Sequence, residues 1–172
     1  MKNTINKIIL GSLLTSVTAF SAADNTISIT GTVTSATQVK FQSAIATTPL
    51  QATEPVPGVD VALGSILPGS TLTAQTLPIY IKTNNTGSVT MQLTDATNSG
   101  NIKHATETDT IPVSYTLMGS TYTIGAAGVQ IASGVEDGTT SVGDLVITPS
   151  ASAPTQKVGV YNTVLTVIIA NL

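Results

Sequence analysis

The chain has 172 residues, a length that suits one domain with its own core. Only 9% of its residues are charged, arginine is absent and the formal net charge is −3, which argues against nucleic acid as a partner, since nucleic acid selects basic surfaces. Cysteine and tryptophan are absent while threonine occurs 31 times, so the protein holds together without disulfides and favours half-buried pleated sheet.

Residues 1–23 read as a secretory signal peptide. Lys2 and Lys7 precede an apolar run from Ile8 to Phe20, and Ser21-Ala22-Ala23 places small residues at −3 and −1 for cleavage after Ala23. A membrane anchor is disfavoured because the run is shorter than the ~20 residues of a spanning helix. The mature chain is therefore expected to be exported, with four lysines against nine acidic residues and a net charge of 4 − 9 = −5. So few charges are unusual for a free monomer, whose solubility depends on them, and less surprising in a subunit covered by copies of itself.

The mature chain opens on DNTISITGTVT, Asp24 to Thr34. Ile27, Ile29, Gly31 and Val33 alternate with Ser28, Thr30 and Thr32, the period of a strand with one buried face. A free N-terminal strand of this kind can fold back into its own sheet or enter the sheet of another molecule. Gln38 to Ile45 continues it or begins another strand. Thr47 to Gly58, with Pro49, Pro55 and Pro57, reads as loop. Asp60 to Ile66 is a candidate short strand closed by Pro68-Gly69-Ser70.

Leu77 to Thr83 and Val89 to Thr94 alternate well, and Asn84-Asn85-Thr86-Gly87 between them predicts a hairpin. Asn98 to Asp109 reads as a polar loop. Ile111 to Met118 and Thr121 to Ile124 form a second hairpin around Gly119-Ser120. Glu136-Asp137-Gly138 reads as a turn, Asp144 to Thr148 as a short strand, and Pro149 to Gly159 as a Ser/Ala/Pro loop. Tyr161 to Ala170 is the last strand. No helical period persists for three turns, and short strands with turn residues between them indicate an all-β antiparallel sandwich or barrel.

The last strand is apolar on both faces: Leu165, Val167 and Ile169 on one, Val160, Val164 and Ile168 on the other. Such a strand is usually covered on both sides, yet no later strand follows to pair with its outer edge, which would be an aggregation liability. Either the first and last strands pair within one molecule, or each pairs with another copy.

Catalytic chemistry is sparse, and no enzyme, cofactor or metal site is expected. His104 is the only histidine, and with Lys103, Glu107 and Asp109 it reads as part of a solvated loop rather than half a metal site. A Ser/His/Asp arrangement would need that one histidine, and GxSxG, GxGxxG and Walker patterns are missing. Asn84-Asn85-Thr86 matches a glycosylation sequon that turn chemistry already explains.

The signal peptide, NTISITGTV at the mature start, SGVEDGTTSVGDLVI, and the ending APTQKVGVYNTVLTVIIA together resemble the major subunit of colonisation-factor-antigen-type fimbriae, the alpha or class 5 chaperone–usher pilins. Gly159, fourteenth from the C-terminal end, falls where such pilins commonly carry glycine. Asn171 departs from the penultimate aromatic of the wider superfamily.

The resemblance implies a signal peptide (1–23), a donor strand (24–36; Ile27, Ile29, Gly31, Val33) and a pilin domain (37–172). That domain would be an incomplete immunoglobulin-like sandwich lacking its final strand, with an acceptor groove at Gly159, Tyr161, Leu165, Val167 and Ile169. A periplasmic chaperone would fill the groove first. At an outer-membrane usher the donor strand of the next identical subunit would replace it, building a head-to-tail surface fimbrium that supports adhesion to host cells together with a tip adhesin. The alternative is a self-complemented exported sandwich acting as a monomeric carbohydrate-binding or coat protein.

Overall fold

Alternation fixes which way each side chain points, and the topology decides what it meets. The computed structural model describes residues 36–45, 50 and 58–172, all within the unit Thr34–Leu172. The expected signal peptide, the expected donor residues Ile27, Ile29, Gly31 and Val33, and most of the Thr47 to Gly58 stretch lie outside the described residues.

Eleven strands follow in chain order: β1 (Thr37–Phe41), β2 (Gln75–Thr83), β3 (Ser88–Thr94), β4 (Ile102–His104), β5 (Thr110–Ile111), β6 (Val113–Leu117), β7 (Ser120–Tyr122), β8 (Val129–Ser133), β9 (Glu136–Pro149), β10 (Tyr161–Asn162) and β11 (Thr166–Asn171). One sheet has the order β1-β2-β9-β6-β7, a second β11-β3-β8, and a small third β10-β4-β5. Every strand pairing is antiparallel. The protein is all-β, with no helix among the described residues. The inward residues of the two larger sheets, including Ile79 and Ile81 of β2, Met91 and Leu93 of β3, and Leu117 of β6, share one core, as in a β-sandwich.

Three sequence expectations are corrected. First, β2 and β3 do not form a hairpin. They lie in different sheets, and Asn84 to Gly87 carries the chain from one to the other. Both strands present a buried apolar face, and facing each other across the core they bury both; alternation alone does not distinguish this from a hairpin. The crossing is held by side chains: Asn84 Oδ1 accepts from Ala36 N at 2.7 Å, and the buried Thr83 hydroxyl donates to Ala36 O at 3.1 Å.

Second, Glu136 to Gly138 is not a turn but the start of the 14-residue β9, with Glu136 opposite Thr83 and Asp137 opposite Lys82. The register then shifts, and Gly138 supplies the φ of +80° that the irregularity needs. A Cβ there would come within 2.9 Å of the Ile45 Cβ, so glycine also lets Ile45 pack, with its N–H on Gly138 O at 2.9 Å. Third, Asp60 to Ile66 is in no ladder. Val59, Val61 and Leu63 nevertheless pack half-buried against the core, so the segment keeps a strand's in-and-out alternation without strand partners.

The expected second hairpin is present as β6–β7, with Leu117 opposite Ser120. Met118 and Gly119 are its two central residues, at φ +53° and +78°, the left-handed pair of a primed turn.

Candidate functional site

The expected single strand from Tyr161 to Ala170 is broken, because its two halves take different partners. Tyr161 and Asn162 pair with His104 and Lys103 of β4, whereas Thr166 to Asn171 pair with Thr94 to Val89 of β3. A side-chain tie replaces the ladder between them. The Thr163 hydroxyl donates to Asp95 Oδ2 at 2.7 Å and accepts from Asn98 Nδ2 at 3.3 Å.

Asp95 also accepts from the backbone N–H groups of Thr97, Asn98 and Gly100. Burial acts to raise this carboxyl, but the four hydrogen bonds outweigh it and hold it well below the usual carboxylate range. The loop that leaves β3 is thereby locked to the segment that enters β11.

The polar stretch around His104 is corrected as well. His104 is buried, with its ring edge-on to Tyr161 at 5.0 Å. Its Nδ1 accepts from the backbone N–H groups of Thr106 (3.2 Å) and Glu107 (3.1 Å), which leaves Nε2 to donate to Val158 O at 3.1 Å. A Cβ on Gly159 would overlap the imidazole, so the chain can pass this close only as glycine. Tyr161 completes the brace, donating through its hydroxyl to Lys157 O at 2.8 Å. Thus Gly159 and Tyr161 belong to a bracket that sets the path of the chain into β11.

Beyond the bracket lies an open cavity of about 1410 Å³. It is lined from the core side by residues such as Phe41, Leu77, Leu93 and Leu145, and from the last strand by Gly159, Tyr161, Leu165 and Val167. The expected groove residues are therefore brought together, except that Ile169 packs on the core further along β11 without lining the cavity. Leu165, Val167 and Ile169 point inward yet are only half-buried. β11 hydrogen-bonds to β3 along one edge, and its other edge has no strand partner among the described residues.

The cavity also uses residues that were not singled out from the sequence. Val59, Val61 and Leu63 line it, as does Tyr115, whose hydroxyl donates to Gly100 O. Burial, helped by the Asp95 charge, pushes that phenol up to about 12. The alternation Val59–Val61–Leu63 was the available signal for the first three. Among the described residues no cluster of three or more His, Cys, Asp or Glu could hold a metal ion. A half-open apolar slot with a free strand edge suits capture of an extended apolar segment.

No family model matches the chain, and no curated protein matches it.

Proposed function

We propose that the chain is a structural pilin subunit that polymerises head to tail into surface fimbriae supporting adhesion to host cells. The observation that carries this reading is β11, paired among the described residues on one edge only, beside an open apolar cavity and with inward side chains half-exposed. The sheet orders β1-β2-β9-β6 and β11-β3 suit an immunoglobulin-like sandwich short of one strand. On this reading Ile27, Ile29 and Val33 of another copy fill the cavity, with Gly31 at a shallow place in it. That strand lies between β11 and the unladdered Val59–Leu63 segment and gives both of them hydrogen-bond partners. A periplasmic chaperone holds the slot beforehand, an outer-membrane usher exchanges it, and a tip adhesin ends the filament.

Donation to another copy is favoured over self-complementation by where β1 starts. Thr37 Oγ1 donates to Asn171 Oδ1 at 2.8 Å, so β1 begins beside the end of β11 and runs back along the same flank. On this reading the residues before β1 continue its direction into the neighbouring copy, whereas on the self-complemented reading the chain would have to reverse immediately before β1. Burying Ile27, Ile29 and Val33 is worth roughly 1.5–3 kcal/mol each.

The test is Ile29→Asp, which places a carboxylate in an apolar slot at a large desolvation cost. Co-expressed with its chaperone, the variant is expected to give normal chaperone complex and no surface filaments by electron microscopy. Wild-type filament numbers would sink the donor assignment. Loss of the chaperone complex would place Ile29 in the subunit's own core, the self-complemented alternative.

A further inference from the structure

Large apolar side chains exposed singly on a surface need no explanation, but among the described residues all except Ile168 are segregated to two ends of the domain. At one end β1 begins. Thr37 lies opposite Thr83 and Thr83 opposite Glu136. Leu172 N donates to Ser88 O at 2.8 Å, and Gly134 N to Gly87 O at 3.0 Å. These contacts gather Ala36, Val135 and Leu172 at one pole. At the other end Ser70 N donates to Leu67 O at 3.1 Å, Ser152 N to Ser70 O at 2.8 Å, and Ala105 N to Val160 O at 2.9 Å. With the His104 bracket on Val158 and the Asp95 tie beside Val164, this pole gathers Leu67, Val158, Val160 and Val164, all of which also line the cavity at that end. Ala36 is buried, whereas Val135 and Leu172 at the first pole and all four residues of the second are between 66% and 91% exposed. Among the described residues one further large exposed hydrophobic, Ile168, lies on the flank of β11.

Chain length ties the two poles together. This step rests on the donor-strand reading. Ile27 to Val33 and Leu165 to Asn171 each span six residue steps, about 20 Å of strand. Laid antiparallel to β11, as every strand pairing in the protein is, the donor finishes at the Leu165 end, beside the pole of Val158 and Val164. Only Thr34, Ser35 and Ala36 then remain before β1, a reach of roughly 10 Å. We propose that consecutive subunits also dock pole to pole, with Val135 and Leu172 of one copy covering Leu67, Val158, Val160 and Val164 of the next. The contact is heterologous, so it extends along a filament and does not close a dimer.

The chain has no cysteine, which makes a crosslinking test clean. Val135→Cys or Leu172→Cys is combined in turn with Leu67→Cys, Val158→Cys, Val160→Cys or Val164→Cys. The two positions of each pair are at opposite poles, too far apart to bridge within one subunit. Filaments of the full mature chain are oxidised, boiled in SDS without reductant and run on a gel. Boiling separates donor-strand joints, so wild-type filaments are expected to collapse to monomer, while at least one pair gives a ladder that survives boiling and vanishes with reductant. Wild-type filaments that form normally, with no pair giving such a ladder, overturn the pole contact and leave the donor strand standing. A reductant-sensitive dimer from Val135→Cys alone means that like poles meet, and also overturns it. Folded wild-type monomer that makes no filament refutes the donor-strand reading, and the pole contact with it.

Discussion

β3 and β11 are neighbours in one sheet with the same alternation, and they differ in what they bury. Val89, Met91 and Leu93 of β3 are 0% exposed, while Val167 and Ile169 of β11, with Leu165 just before it, stay half-exposed though they point into the same core. The difference is not in the residues. β3 is hydrogen-bonded on both edges, to β11 and β8, whereas among the described residues β11 is bonded on one. An inward side chain is sealed by the strands flanking its own as much as by the sheet opposite, and on the open side of β11 the flank is a cavity.

The largest expected effect tests that contrast directly. Leu93→Ala removes a fully buried side chain and is expected to cost about 2–5 kcal/mol whether or not the cavity is filled. Val167→Ala removes a half-buried one and is expected to cost about 1 kcal/mol in the unfilled subunit. With an excess of a synthetic peptide of residues 24–36, that smaller loss should grow if, as proposed, the donor segment completes the burial of Val167. Urea unfolding of both variants with and without peptide gives the comparison. Equal losses without peptide, or a Val167→Ala loss that ignores the peptide, would break it.

Much of this contrast was legible in the sequence. The two-faced apolar pattern from Val160 to Ile169 marked a strand expected to need cover, and the alternation at Leu77 to Thr83 and Val89 to Thr94 located β2 and β3 as strands. Partner choice was not legible. The same pattern serves a hairpin and a cross-sheet connection, so β2 and β3 were read as paired when they face each other. Glu136-Asp137-Gly138 has the composition of a turn, and only long-range pairing with Thr83 and Lys82 makes it strand. His104 was read as solvated because its neighbours are charged. Its burial comes from the Val158–Tyr161 segment, more than fifty residues away in sequence. Within the slot, Leu165 and Val167 could be named from periodicity, whereas Val59, Val61 and Leu63 needed the fold to show that an unladdered segment lines the same cavity.

A smaller effect is expected where the supported strand holds the unsupported one. Asp95 follows β3 and accepts the Thr163 hydroxyl ahead of β11. Asp95→Ala leaves the N–H groups of Thr97, Asn98 and Gly100 without that acceptor and is expected to cost about 1–3 kcal/mol at neutral pH. The folded carboxyl titrates below its unfolded value, so its contribution is complete above the unfolded value of about 3.9 and is lost as pH falls through the lower folded value. The gap between wild type and Asp95→Ala should therefore be constant above about pH 4 and shrink in stronger acid. Urea midpoints at neutral pH and in acid measure it, and a gap that persists undiminished in strong acid would show that the carboxylate charge is not what holds the tie.

The smallest effect is expected at the exposed ion pair beside the bracket, Lys157 Nζ to Glu107 Oε2 at 2.7 Å. The hydrogen bond to Lys157, and then its charge, hold the Glu107 carboxyl low, and the same contact raises the Lys157 ammonium. Both side chains are about half-exposed, so water and salt screen the attraction, and fixing two long side chains opposes it. The bracket does not depend on this pair, because the buried His104 already holds the Thr106 and Glu107 N–H groups on one side and Val158 O on the other. Glu107→Gln should leave the unfolding midpoint unchanged at low and at high salt. His104→Ala should lower it measurably and also weaken binding of the residue 24–36 peptide, because the Val158–Tyr161 segment that leads into β11 loses its anchor. A Glu107→Gln loss as large as that of His104→Ala would mean that surface charge, rather than the buried imidazole, holds the lip of the cavity.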